Sequence, residues 1–238
     1  MQINHIYFSP NGETKKISIY FHEKLGGNLV DFSNPLTRNA YDFDKIHELI
    51  VLSLPVYSQN IPIPIRNILK KLKTMFLIIN ITYGGFSYGN TLRIIQRKLK
   101  NSILIGYSIT PVGHIYLNQE IRIDLSHYNP IINRVNTHLF KPVKSFIKIG
   151  NIFSSLFEKQ RTKYNYRIKV NLDLCISCYL CIEQCPTGSI TKTIDILDSC
   201  MRCGHCEKIC PTHAIQAKQS FFLKQYLKSK QKTSVIIR

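Results

Sequence analysis

The chain has 238 residues, 44% of them apolar, and carries 32 Lys and Arg against 14 Asp and Glu, a formal charge of +18. That length holds one domain of ordinary size and one small one, and the apolar share can fill a core, which excludes both a disordered tail protein and a three-domain assembly. No apolar run reaches bilayer-spanning length, and Met1-Gln2-Ile3-Asn4-His5-Ile6 lacks the basic and apolar segments of a secretory leader, so a cytoplasmic, reducing location is expected.

Short β-rich runs at residues 4–8, 49–54, 75–81 and 103–109 alternate with longer stretches of helical period. Strands alternating with helices predict a parallel sheet, whose ligands bind at the carboxyl ends of the strands. The first run leads straight into Ser9-Pro10-Asn11-Gly12-Glu13-Thr14, then Lys15-Lys16-Ile17 and a helical pattern toward Leu25. Donors from Ser9, Asn11 and Thr14 gather there around backbone amides at the positive end of a helix, and Gly12 lets the backbone approach a ligand; this suits a phosphate. The same residues also read as an ordinary turn with Ser9 or Thr14 as the helix cap. The segment resembles the flavodoxin phosphate loop, Ser/Thr-x-Thr-Gly-x-Thr, which implies that it holds the 5′-phosphate of FMN. Asn11 stands where that family has a hydroxyl and keeps a donor for phosphate. Glu13 is expected to point outward.

Two further loops fall where a flavodoxin-like fold needs them, after the third and fourth strands. The first begins Pro55-Val56-Tyr57 and runs to residue 62; the second, residues 82–89, contains Tyr83, Gly84, Gly85, Tyr88 and Gly89. The resemblance implies that these glycines let backbone amides reach the flavin ring and that an aromatic, Tyr57 or Tyr88, stacks on it. Taken singly, both tyrosines read as half-buried loop aromatics. Further along, Asn129-Pro130 reads as a helix cap with proline in the first turn, followed by helical period over 131–140. Residues 143–157 read as a second amphipathic segment and 158–169 as a basic connector.

All eight cysteines fall in two copies of one pattern offset by 25 residues, Cys175-x2-Cys178-x2-Cys181-x3-Cys185-Pro186 and Cys200-x2-Cys203-x2-Cys206-x3-Cys210-Pro211. The repeat extends past the cysteines, since Leu172-Asp173 matches Leu197-Asp198, Thr187 matches Thr212 and Ile190 matches Ile215. Consecutive short gaps curl the backbone around one metal centre with its amides aimed at sulfur, and the proline turns the chain away. A zinc site more often pairs two Cys-x2-Cys knuckles, and three cysteines in one run leave a thiolate surplus at a tetrahedral ion. A disulfide framework belongs to small secreted domains. The spacing is that of bacterial two-cluster ferredoxins. Resemblance to that family over residues 170–217 implies one 4Fe-4S cluster on Cys175, Cys178, Cys181 and Cys210, and a second on Cys200, Cys203, Cys206 and Cys185. His205 and His213 read as residues beside the clusters rather than ligands.

Over nearly its whole length the chain therefore resembles the EFR-type ferredoxins, a fusion family. The resemblance implies a flavodoxin-like FMN-binding domain at 1–142, a basic and partly helical linker at 143–169, a two-cluster ferredoxin domain at 170–217 and a basic tail at 218–238. The implied fold is α/β, a flavodoxin-like parallel sheet with helices on both faces followed by a small α+β ferredoxin domain. The implied function is electron transfer between two 4Fe-4S clusters and FMN, in an electron carrier more than a substrate-converting enzyme. The alternative is a flavin-dependent reductase of a small acceptor or nicotinamide, fed by the clusters, although no Gly-x-Gly-x-x-Gly loop marks a nicotinamide site.

Charge is distributed unevenly. Residues 49–119 hold eight Lys and Arg and no acid, residues 126–170 hold nine against Glu158 alone, and residues 171–210 hold three against five acids. A basic flavodoxin-like face is expected to steer an acidic redox protein partner, or to dock the chain's own acidic cluster domain. Such charge also attracts nucleic acid, but no recognition helix or RNA-binding aromatic motif accompanies it, so no specific nucleic-acid partner is expected.

Overall fold

The computed structural model describes residues 1–114, 116–117, 121–145, 158–228 and 232–238. Its strands are β1 (Ile3–Tyr7), β2 (Asn28–Asp31), β3 (Ile46–Pro55), β4 (Lys73–Tyr83), β5 (Ile103–Pro111), β6 (Tyr166–Val170), β7 (Ile215–Gln219) and β8 (Ile236–Ile237). Six of them form one sheet in the order β2-β1-β3-β4-β5-β8, with the first five parallel and β8 antiparallel at the edge. The order 2-1-3-4-5 is the doubly wound, flavodoxin-like one, whose switch point lies between β1 and β3.

Burial explains which strands were legible. Every residue from Leu49 to Leu54 in β3 is fully buried, as a central strand covered on both faces requires, and its sequence is a near-continuous apolar run. The edge strand β2 holds only Leu29 and Val30 as apolar residues and is half-exposed, and β8 pairs only with Ser108 and Ile109; neither was expected. Polar side chains inside the sheet are satisfied in register. Ser108 Oγ donates to Asn80 Oδ1 at 2.7 Å, and Asn80 Nδ2 donates to Ser53 Oγ at 3.3 Å, across three neighbouring strands.

Helices cover both faces. On one side α1 (Glu13–Leu25) buries Ile17 and Phe21, an i,i+4 pair, beside Ile131, Ile132 and Val135 from a later helix. Glu13 in its first turn and Lys24 in its last suit the helix dipole. A short α2 (Pro35–Ala40), capped by Asn34, follows β2. On the opposite face α3 (Ile63–Arg66) and α4 (Thr91–Lys98) set Ile65, Leu92 and Ile95 against Ile50, Leu52, Leu54 and Ile79.

The later helix is α5 (Asn129–Asn136), and it corrects two expectations. Tyr128, not Asn129, is the N-cap, and the Asn129 side-chain Oδ1 instead accepts from the Tyr20 hydroxyl at 2.7 Å. The helix stops short of Phe140 because His138 takes a φ of 52°, which sends Phe140 onto Phe76 with ring centroids 4.5 Å apart. Residues 143–145 are not helical, and the rest of the expected amphipathic segment lies outside the described residues.

The stretch expected as a basic connector contains α6 (Glu158–Asn165) and β6, and β6 pairs antiparallel with β7 from Tyr166↔Gln219 to Val170↔Ile215. Between these strands lie α7 (Leu180–Glu183) and α8 (His205–Ile209), around a small core of Ile190, Ile194, Ile215 and buried cysteines. After β7 comes α9 (Phe221–Leu227). Among the described residues no helix is long and apolar enough to cross a membrane.

One buried histidine makes stability depend on pH. His5 is fully buried, its Nε2–H donates to the Gly26 carbonyl at 2.8 Å, and its Nδ1 has no partner among the described residues. Burial, with His22 edge-on beside it, lowers its pKa from 6.5 to about 4 against the opposing pull of the Gly26 hydrogen bond. The unfolded chain therefore binds the extra proton first. Stability is full above about pH 6.5 and is lost as pH falls toward 4, by up to about 3 kcal/mol. His5→Gln is expected to flatten the dependence of the urea midpoint on pH over that window, and a slope equal to that of the native chain would refute the assignment.

Candidate cofactor sites and their shared boundary

The carboxyl ends of β1, β3, β4 and β5 open onto a cleft of about 130 Å³. Of the residues expected from the sequence, Ser9, Pro10, Asn11, Glu13, Thr14, Pro55, Val56, Tyr57, Tyr83 and Gly84 line it. Gly12 opens on an adjoining groove of about 490 Å³ between this turn and the cysteine-rich unit. Gly85, Tyr88 and Gly89 do not reach the cleft. The chain turns back after Gly84 through a Gly85 N–H to Tyr83 carbonyl bond of 2.9 Å, which sets Tyr88 edge-on against Tyr83 and Gly89 against Gln59. Tyr88 thus packs on the core, the bland reading of that residue.

The turn after β1 keeps its backbone for a ligand but spends some of its side chains. Gly12, with φ 93°, caps α1, and the amides of Asn11, Glu13 and Thr14 have no partner among the described residues. Thr14 Oγ1 is 2.7 Å from Thr82 Oγ1, and Ser9 Oγ accepts from Lys15 N–H at 3.0 Å. Asn11 departs from expectation. Its Nδ2 donates to the Cys203 carbonyl at 3.0 Å, because the second cysteine loop is pressed against this turn. The Glu13 side chain pairs with Lys16 at 2.8 Å, away from the turn's amides.

The remaining walls were not legible in the sequence. Val112, Gly113, His114 and Tyr116 follow β5; Thr162 and Tyr166 come from α6 and β6; Met201 and Arg202 come from the cysteine-rich unit. Tyr116 stacks on Tyr166 with centroids 3.8 Å apart, and its hydroxyl donates to the Arg202 carbonyl at 2.5 Å. Burial lowers His114 to a pKa of about 4, so it is neutral at neutral pH. Residues such as Val56, Gly84, His114 and Tyr166 also line a neighbouring chamber of about 360 Å³, so the two spaces together fall within the usual range of ligand pockets. No local pattern marks these positions, because they meet only when the C-terminal unit folds onto the sheet.

All eight cysteines are free thiols, four of them buried, three half-buried and Cys178 exposed. Burial raises Cys181, its own amide opposes this, and the thiolates of Cys178, Cys175 and Cys210 raise it further. Burial likewise raises Cys203, a His205 amide opposes it, and Cys206, Cys200 and Cys185 add to the rise. Cys206 is pushed up to about 12, by burial first and then by Cys200 and Cys185. Cys206 also feels Cys181, so thiols of both motifs influence one another.

The two loops share one backbone conformation. Ser177 and Arg202 have φ 53° and 59°, Tyr179 and Gly204 59° and 74°, and Gly188 and His213 59° and 53°, each pair being offset by 25 residues. Left-handed residues flanking the middle cysteine aim successive amides inward, a concavity that suits sulfur and other anions. Ser189 N–H reaches Cys185 Sγ at 3.3 Å, and amides of Arg202, His205 and Glu207 reach Cys200, Cys203 and Cys206. On Cys210, burial alone favours the thiol, but amides of Ile215, Thr212 and Ala214 with the Thr212 hydroxyl bring it below the ordinary value. Thiols met by amide donors, half of them buried, fit a metal cluster that takes them as thiolates. His205 lies 3.3 Å from Gln184 and His213 sits in a turn, and neither perturbs a thiol through its ring.

Contacts between the two units are many and specific. Met201 and Cys203 belong to the core of the sheet's β1–β5 unit, Arg38 donates to the Pro186 carbonyl at 3.0 Å, and Lys208 Nζ donates to the Asn11 carbonyl at 3.2 Å. Lys163 and Asp198 pair across the cysteine-rich side.

Residues 168–191 and 194–216 each match the family model described as a 4Fe-4S binding domain. No curated protein matches the chain. Among solved structures, it is similar to a flavodoxin from the domain Archaea at 13% identity, covering 59% of this chain and 100% of that one, with a TM-score of 0.44. A flavoprotein in complex with FMN from Lactobacillus acidophilus NCFM shares 19% identity over 44% of this chain and 91% of that one, with a TM-score of 0.34. At these scores the fold assignment rests on the chain's own strand order. The chain thus joins a flavodoxin-like α/β unit to a C-terminal unit that is similar, in both halves, to the 4Fe-4S binding domain.

Proposed function

We propose that this chain is an electron-transfer iron-sulfur flavoprotein with two 4Fe-4S clusters and FMN. One observation carries the reading: the loop holding Cys200 and Cys203 is itself a wall of the cleft at the switch point of the sheet. Cys175, Cys178, Cys181 and Cys210 would hold one cluster, and Cys185, Cys200, Cys203 and Cys206 the other. The amides of Asn11, Glu13 and Thr14 would take the FMN phosphate, with Tyr57 and the Tyr116–Tyr166 stack as the aromatic surfaces nearest the ring. Bound FMN would supply exchange between one- and two-electron donors. The protein's own part is to exclude water, point amides at sulfur and phosphate, and hold the two sites together. Arg38 helps to dock the cysteine-rich unit through the Pro186 carbonyl, and an acidic redox protein is the external partner that the basic surface favours.

A second reading, reduction of a small acceptor beside the flavin, is favoured by the 360 Å³ chamber lined by Phe86, His114, Tyr166, Phe222 and Tyr226. Anaerobic purification with iron, sulfide and FMN analysis tests the first reading. About eight iron, eight sulfide and one FMN per chain are expected; fewer than about four iron would refute it. Oxidation of NADH by the pure protein would favour the second reading.

A further inference from the structure

Two buried polar atoms in the wall of the cleft have no partner among the described residues: Asn11 Oδ1, an acceptor, and Arg202 Nε, a donor. A buried polar atom left unpaired calls for a specific explanation. Both residues are pinned by their other groups. Asn11 is tied to the cysteine loop through Nδ2 to the Cys203 carbonyl and through its own carbonyl to Lys208, and the Arg202 carbonyl accepts from Tyr116. The two idle atoms therefore belong to residues fixed at the cleft wall, Asn11 by its side chain and Arg202 by its backbone, one atom suited to a hydroxyl and the other to a carbonyl oxygen or ring nitrogen. The φ of 59° at Arg202 matches that of Ser177 in the first loop, so the backbone there serves the cysteines and does not dictate an arginine. A contact made only when the cleft is filled accounts for keeping an arginine there.

Building on the flavin reading, we propose that the loop Cys200–Cys203 completes the flavin site. Arg202 donates to the polar edge of the flavin ring, Asn11 accepts from its sugar-alcohol chain, and FMN and the enclosed cluster stabilise each other. Binding linkage is reciprocal, so FMN must hold the cluster loop as firmly as the loop holds FMN. A cation beside the ring also favours the more negative, reduced flavin, which raises its potential.

The test uses the full, cluster-loaded chain and FMN itself. Arg202→Gln removes the charge, and Arg202→Gly suits the positive φ, so one of the two preserves the loop if the other does not. Both are expected to keep native iron content while binding FMN about tenfold more weakly. A tenfold loss of preference for the reduced flavin moves the two-electron potential about 30 mV more negative. Added FMN is expected to slow iron removal by a chelator in the native chain and not in the variants. Native affinity, potential and protection in both variants would overturn the inference, as would loss of iron along with flavin in both, which would make Arg202 a structural residue of the loop. A native chain that binds no FMN would bring down the flavin reading itself, a result distinguishable from equal binding by native and variant chains.

Discussion

With two 4Fe-4S clusters bound as proposed, Cys203→Ser is expected to halve the iron of the chain, from about eight atoms to about four. Cys203 is almost fully buried, and a serine hydroxyl there is a far weaker ligand for iron than a thiolate ringed by amides. On the proposed ligation the loss should be confined to one cluster, because Cys175, Cys178, Cys181 and Cys210 would hold the other. The proposed crossed ligation sharpens the prediction. Cys185→Ser lies in the first motif yet should remove the same cluster as Cys203→Ser, and the double variant should lose no more iron than either single one. Iron analysis with EPR of the reduced protein reads this directly. Two distinct losses that add would show that each motif keeps its own cluster. Because Met201 and Cys203 sit in the core of the flavodoxin-like unit, the variant is also expected to bind FMN less well.

Gly27→Ala is expected to cost about 3 kcal/mol, a large share of the 5–15 kcal/mol that holds a typical domain together. Gly27 has a φ of 96°, and a Cβ added there would meet the Ile3 carbonyl oxygen at 2.5 Å and Ile3 Cβ at 2.9 Å. The obstacle is backbone of β1, which pairs with β2 on one side and β3 on the other and cannot yield. Gly26→Ala is the control: φ is 67° with ψ −162° and nothing lies within 4 Å of the added atom, so only conformational strain of about 1–2 kcal/mol remains. Urea unfolding of both variants should show the difference, and equal midpoints would refute the steric account. The effect should appear in stability and leave iron content unchanged, since the site is at the amino edge of the sheet, away from the cysteines.

The residue pattern alone determined the parts whose physics is local. Eight cysteines at repeated spacing mark two equivalent loops whatever surrounds them, and the backbone repeats the same left-handed positions at the same offset. The central strands announced themselves because burial on both faces demands unbroken apolar runs such as 49–54. The turn at Ser9–Thr14 was legible because a strand, a glycine and a helix start follow one another directly. Only the tertiary structure decided what those residues do together. It added β2 and β8, whose few apolar residues carry no periodic signal. It took Tyr88 into the core and brought Tyr116, Tyr166, Met201 and Arg202 to the cleft, from segments up to about 190 residues away from Asn11 in the chain. Asn11 shows the division most clearly: its sequence context offers a phosphate donor, but its amide goes to the Cys203 carbonyl, a partner 192 residues away. Contacts of that span arise from docking one folded surface on another, and docking depends on shape and on unpaired hydrogen-bonding groups that no local pattern records.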